Sequence, residues 1–372
     1  MPKKRSFWER YALSQLSGEV IEQDGEQLFM LSEAEVLALR KIRINTYLKV
    51  GITGALGVIL LYTPYHLFGE SLFPVRDIWI PVYENTIALE IEFIVYSILL
   101  VFFEIWYLTY VNIKAVSAIA KACGSPSNAD PNFDENINSL INVGLEKKQK
   151  NLSEIGINPY EGLSKWSVTV FQLLIRLKAT ISGFLWKLLV TKLLGRYAFR
   201  MLVDLLGAPL YAAWNIIGSR KIMNEARVRV MAPPLIYKFT ELLHAEFKDH
   251  GRFKTVIYAT LQAISTSKRS FHYNHFLLAT AILNKFDVPV EEEPDYDEYF
   301  FENIDELEPQ VQKAVAKLLV FGIMIDGGLS VREKKSLIRL KEENVLPYTI
   351  KEVKLWSVSY FEGRGLEDFF AR

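Results

Sequence analysis

Glu104 stands near the middle of the apolar stretch FIVYSILLVFFEIWYLTYVNI, residues 93–113. A carboxylate there is costly unless it is neutral or hydrogen-bonded. Two roles fit it: a proton or ion relay, or a glutamate held inside a helix pair near Thr53 or the Tyr62 hydroxyl, and the second is the expectation. Arg200 and Asp204 lie four apart in another apolar run, so they share a helical face and can neutralise each other. These three are the intramembrane polar candidates. Glu90 and Glu92 fall close to a loop and need only the headgroup region.

The remaining chemistry-bearing residues group less well. His272 and His275 could face one side of a helix, yet no nearby Cys or carboxylate completes a tetrahedral metal set. Glu241 and His244 form the ExxH of di-iron bundles, but the required second copy is missing. Cys123 is the only cysteine, which excludes an intramolecular disulfide and a Cys-rich metal cluster. Nothing in AKACGSPSN supplies the base or oxyanion site that a thiol nucleophile needs. GxxxxGK[ST], GxGxxG, HExxH and GxSxG are absent. No catalytic residue and no cofactor is expected, and an enzyme is not the expected reading.

The elements that must position these residues are mostly apolar helices. Half of the 372 residues are hydrophobic, and many of the 18 Tyr and 7 Trp flank the apolar runs, as they do at a bilayer surface. The 43 basic and 43 acidic residues cancel, so global charge gives no case for nucleic acid binding. The basic start, MPKKRSFWER, is not followed by an apolar core within signal-peptide reach, so no cleavable signal is expected. Residues 48–68 are long enough to span a bilayer as a helix, and residues 87–113 form a second, longer span. Gly51, Gly54 and Gly57 give the first span one thin face for close helix contact. Between the spans, Pro74, Trp79, Pro81 and Tyr83 suit a loop lying along the interface. Arg40, Lys41, Arg43 and Lys49 precede the first span and Lys114 and Lys121 follow the second, while the loop has only Arg76, so both termini should be cytoplasmic.

Residues 166–225 are interrupted by charge. Lys192, Arg196, Arg200 and Asp204 repeat every four residues, which describes an amphipathic helix, and Lys187, Lys192, Arg196 and Arg200 are its basic set for an anionic leaflet. The run 198–218 carries Pro209, and a span, a re-entrant dip and a buried core helix are all compatible with it. Because Arg220, Lys221, Arg227 and Arg229 follow, an interfacial helix plus a shallow or re-entrant segment is expected, with a transmembrane hairpin as the alternative.

The flanks read as cytoplasmic. Residues 1–47 form a helical segment with a capping box at Ser32 and Glu35, residues 114–165 a polar linker, and residues 226–372 an all-helical domain. Residues 287–308 hold eleven acidic residues and no Lys or Arg, as a solvated loop or as a surface for a basic partner. Near the end an apolar helix runs into Asp326-Gly327-Gly328, after which Ser330 caps a helix headed by Glu333.

That pattern, over residues 311–366, resembles the repeated motif of tellurite-resistance TerB-like helical domains. The resemblance implies metal binding at Asp326 and Glu333, although Ile325 stands where Ala is usual, and a helix cap explains the same residues. The whole layout also resembles a bacterial multi-pass inner-membrane family, through the two spans and GAPLYAAWNIIGSRKIMNEARVRV at 207–230, and implies no particular activity. The expected protein is therefore an all-α membrane protein of a bacterial inner membrane: a transmembrane hairpin at 48–113, amphipathic or re-entrant helices and a cytoplasmic helical domain. Its expected role is a non-enzymatic scaffold in an envelope or stress process, with the anionic bilayer and a cytoplasmic protein as partners. The alternatives are an oligomeric, proton-coupled transporter using Glu104 and, last, an interfacial lipid-acting enzyme.

Overall fold

The computed structural model describes residues 5–16, 30–80, 85–125, 130, 132–146, 155–158, 164, 205, 207–268, 272–290 and 304–371. The described helices are α1 (Phe7–Leu16), α2 (Glu33–Leu72), α3 (Ile91–Ala122), α4 (Phe133–Gly144), α5 (Gly207–Phe247), α6 (Gly251–Lys268), α7 (Tyr273–Lys285), α8 (Pro309–Met324), α9 (Val331–Glu342), α10 (Ile350–Glu362) and α11 (Glu367–Phe370). Among the described residues the all-helical expectation is met apart from one antiparallel hairpin, β1 (Arg76–Ile80) with β2 (Asn85–Leu89). The chain divides into two compact units: an apolar unit of residues 40–115 and 169–223, and a helical unit of residues 1–39, 116–168 and 224–372.

In the apolar unit, several polar groups of α2 and α3 are met within the helix pair. Pro64 lies inside α2 and has no N–H to give the carbonyl of Leu60, and the Tyr96 hydroxyl of α3 donates to that carbonyl instead at 2.7 Å. Thr53, Ser97 and Thr109 each donate to the carbonyl four residues back. The Thr53 hydroxyl is thus committed to Lys49. The loop expected at 69–86 is in part a hairpin, in register from Arg76 opposite Leu89 to Ile80 opposite Asn85. Its Ile, Thr and Trp content suits strands, a signal masked in the sequence by Pro74 before β1 and Pro81 after it. The second long helix accordingly starts at Ile91 rather than Ile87 and runs on to Ala122. Phe73, Tyr65 and Phe93 pack ring to ring, with Tyr65 and Phe93 centroids 4.5 Å apart.

The helical unit draws on three separated parts of the chain. The stretch 114–165, which reads as a linker, contains α4, whose Ile137, Leu140, Ile141 and Val143 are buried. Its polar residues serve as internal partners. Asp130 accepts from the Tyr237 hydroxyl at 3.0 Å and from the Asn136 amide, and the Tyr273 hydroxyl donates to Asn136 at 2.8 Å. The N-terminal segment joins the same unit, since Ser117 donates to the Gln15 carbonyl and the Leu31 N–H donates to the Gly363 carbonyl at 2.8 Å.

The centre of this unit is the turn after α8. The Ile325 carbonyl accepts from the Asn274 amide at 2.6 Å and from the buried Tyr360 hydroxyl at 3.0 Å, and both groups also reach the Val228 carbonyl of α5. Gly327 follows at φ +95°, with Val228 so close that a Cβ would lie 2.4 Å from it. Aromatic stacking of Phe239 on Phe321, centroids 4.1 Å apart, fills the core beside it.

At the end of α10, Gly363 has φ +71°, and an added Cβ would lie 2.4 Å from Leu31 Cδ1. Gly363→Ala should therefore lower stability by about 1–3 kcal/mol through backbone strain and displacement of Leu31. Gly328→Ala, with nothing within 4 Å, should change it by less than about 0.5 kcal/mol. Denaturant unfolding of both variants checks the contrast.

Candidate functional site

Two polar groupings stand out, one in each unit. In the apolar unit the thin face of α2 receives the first turns of α5. A Cβ on Gly54 would lie 2.7 Å from the carbonyl oxygen of Tyr211, and one on Gly51 3.1 Å from the Ile216 side chain. This close approach brings Asn215 to Glu104: the Asn215 amide donates to the Glu104 carboxylate at 2.8 Å, and the other carboxylate oxygen lies over Gly57. One turn further along α5, the Ser219 hydroxyl donates to Asn112 Oδ1 at 2.7 Å, with both residues buried. The result is a polar ladder of Glu104 and Asn112 on α3 facing Asn215 and Ser219 on α5.

The ladder gives Glu104 a hydrogen-bond partner on α5, Asn215, while the Thr53 hydroxyl bonds back to the Lys49 carbonyl and the Tyr62 ring stacks on His66. Asn215 and Ser219 escaped the sequence reading, although their i, i+4 spacing in AAWNIIGS was available. Arg200 and Asp204, like Lys187, Lys192 and Arg196, lie outside the described residues, as does most of the acidic run 287–308.

In the helical unit, Glu225 of α5 faces His272. His272 Nδ1 accepts the Asn274 N–H and so caps α7, which leaves the ring proton on Nε2, 3.0 Å from Glu225 Oε1. Arg229, one turn further along α5, bonds the same carboxylate and donates to the Ser139 carbonyl and hydroxyl at 3.1 and 2.9 Å. Burial opposes ionisation of Glu225, but the His272 hydrogen bond and the charge and hydrogen bonds of Arg229 outweigh it and hold the carboxyl at about 2. This triad ties α5 to α4 and α7.

The expected histidine pair divides its attention. His272 faces Glu225, whereas His275 Nε2 lies 2.9 Å from the Gly322 carbonyl and 3.7 Å from Asp326 Oδ2. His244 packs edge-on against Phe286. Asp326 and Glu333 are both buried, and the Glu333 carboxylate accepts the Ser330 N–H while the Ser330 hydroxyl accepts the Glu333 N–H. Glu333 is thus the capping-box partner of Ser330, while Asp326 lies in the preceding turn beside His275, and among the described residues no three His, Cys, Asp or Glu are placed to hold a metal ion. Cys123 is fully buried; burial, with the Glu35 charge adding and Arg227 opposing, pushes its thiol up to about 12. A thiol so placed is a packing residue and a poor nucleophile.

Gly54→Ala should weaken the apolar unit by about 1–3 kcal/mol, because the new methyl meets backbone, whereas Gly69→Ala, with nothing within 4 Å, should not; thermal unfolding in detergent compares them. The Glu225 carboxyl is depressed relative to its unfolded value, so its contribution is complete above pH 5 or so and is lost as pH falls towards 2. About a third of this side chain is exposed, so solvent screening reduces the effect. Glu225→Gln should flatten the acid limb of a stability-against-pH curve.

Comparison with family models, with curated proteins and with solved structures finds no match to this chain.

Proposed function

We propose that this chain is a membrane-anchored, non-enzymatic scaffold: the apolar unit sits in a bacterial inner membrane and the helical unit presents an interaction surface in the cytoplasm. One observation carries the reading. The most apolar eighteen-residue window of α3 has none of its residues buried, and Phe102 and Phe103 at its centre are 68% and 70% exposed. A core helix of a water-soluble protein would bury such a window; a lipid-facing helix leaves it open. α2 and α3 are both long and apolar enough to cross a membrane.

Basic residues support the orientation. Arg40, Lys41 and Arg43 lie at one end of the paired helices with Lys114 and Lys121, against Arg76 in the hairpin. The packing of Gly207 against Val58, near the middle of the apolar part of α2, supports a re-entrant or crossing course for the first turns of α5, whose Tyr211 and Trp214 are each 57% exposed. The resemblance of residues 311–366 to TerB-like domains supports a binding role for the helical unit in an envelope or stress process. The Asn215 bond to Glu104 favours a carboxylate that holds helices together over one that relays protons.

Single cysteines at Ser71 and Gly328 test the topology in intact cells, and Cys123 can stay because its buried thiol is inert. Labelling by an impermeant reagent is expected at position 71 only; labelling at 328, or release of the protein by alkaline carbonate, contradicts the reading. Proteoliposomes should show no proton leak above protein-free vesicles. A leak that Glu104→Gln abolishes would replace the scaffold with a transporter.

A further inference from the structure

The last two long helices each turn an unusual stripe of side chains outward. α9 buries Glu333, Leu337 and Leu340 and turns outward a stripe of Val331, Lys335 and Ile338, with Arg332 and Arg339 beside it. α10 buries Val353, Trp356, Ser357 and Tyr360 and turns outward Lys351, Leu355 and Val358, with Lys354 beside them. The spacings of four and seven place each set on one side of its helix. Val331 is 74% exposed and Leu355 59%.

Single exposed apolar residues on a surface need no explanation. A stripe that mixes exposed apolar side chains with cations on two successive helices does. The acidic residues nearby are largely committed elsewhere. Glu333 and Glu352 close the capping boxes of α9 and α10, and Glu343 pairs with Arg339. The Lys341 ammonium donates to the carbonyls of Leu346 and Pro347. Arg332, Lys335, Lys351 and Lys354 therefore give the stripes a positive balance around side chains of the size that enter a headgroup layer.

We infer that the exposed stripes of α9 and α10 form a docking surface for the anionic phospholipid headgroups of the membrane that anchors the chain. The inference rests on the membrane reading above, which supplies the bilayer on the same chain as the stripes and so replaces free association with a tethered equilibrium. Cations attract the negative leaflet, while Val331, Ile338, Leu355 and Val358 enter the layer between headgroups and acyl chains. An acidic protein partner would need the cations but would gain nothing from lipid.

The test uses the full chain in nanodiscs of phosphatidylcholine, with and without phosphatidylglycerol, and an environment-sensitive fluorophore on Val331→Cys, Leu355→Cys or Thr255→Cys, the last an exposed site on α6. With a nitroxide quencher carried on lipid, the probes at 331 and 355 should lose half or more of their emission in anionic discs, with little change in neutral discs and none at 255. Each cation near an anionic surface is worth roughly a fivefold gain in occupancy, so R332E/K335E together with K351E/K354E should abolish the quenching. Equal quenching in both lipids, none in either, or quenching that survives the charge reversal would overturn the inference. A chain that fails to enter nanodiscs at all sinks the membrane reading itself, which separates the two failures.

Discussion

On the membrane reading proposed above, the outward apolar face of α3 meets lipid and not water, and the rest of the apolar unit is consistent with that constraint. Leaving Ile98, Leu99, Val101, Phe102, Phe103, Ile105 and Trp106 half or more exposed to water would cost on the order of 10 kcal/mol. That equals the net stability of an ordinary domain. A surrounding without water also explains the internal bookkeeping of polar groups. The Leu60 carbonyl left unbonded by Pro64 is met by Tyr96, and the hydroxyls of Thr53, Ser97 and Thr109 return to their own helices. Only in such surroundings does a single carboxylate, Glu104, need the amide that α5 delivers across the glycine face.

The helical unit obeys the opposite rule. Its core holds several clusters of polar groups that partner one another across the fold. Asp130 gathers Tyr237 and Asn136; Glu225 gathers His272 and Arg229; the Ile325 carbonyl gathers Asn274 and Tyr360. Related bonds join distant parts of the chain: the Arg229 guanidinium donates to Ser139, 90 residues away, and the Tyr360 hydroxyl of α10 donates to the Val228 carbonyl, 132 residues away. Removing one partner leaves a buried group desolvated, which costs more than the bond is worth. The unit is therefore specified by its polar contacts as much as by Phe239, Phe321 and Phe369.

Local signals were legible in the sequence. The capping boxes at Ser32 with Glu35 and Ser330 with Glu333 form as read, because they depend on four consecutive residues. The two long apolar helices were legible from length alone. The partner of Glu104 was not, because Asn215 is 111 residues away and only packing at Gly54 brings it near. Likewise Asn132, Asn136 and Ser139 look the same in a solvated linker and in a buried hydrogen-bond network; composition cannot distinguish them. The strands Arg76–Ile80 and Asn85–Leu89 were hidden by flanking prolines that score as loop.

The most direct test of the central claim is electron paramagnetic resonance on a spin label at Phe102→Cys in the reconstituted chain, comparing relaxation by oxygen with relaxation by a water-soluble nickel chelate. The account predicts high oxygen accessibility and almost none to nickel, with the same pattern at Phe103→Cys. Strong relaxation by nickel at both positions, or protection from both reagents, would show that the open face of α3 meets water or protein and would contradict it.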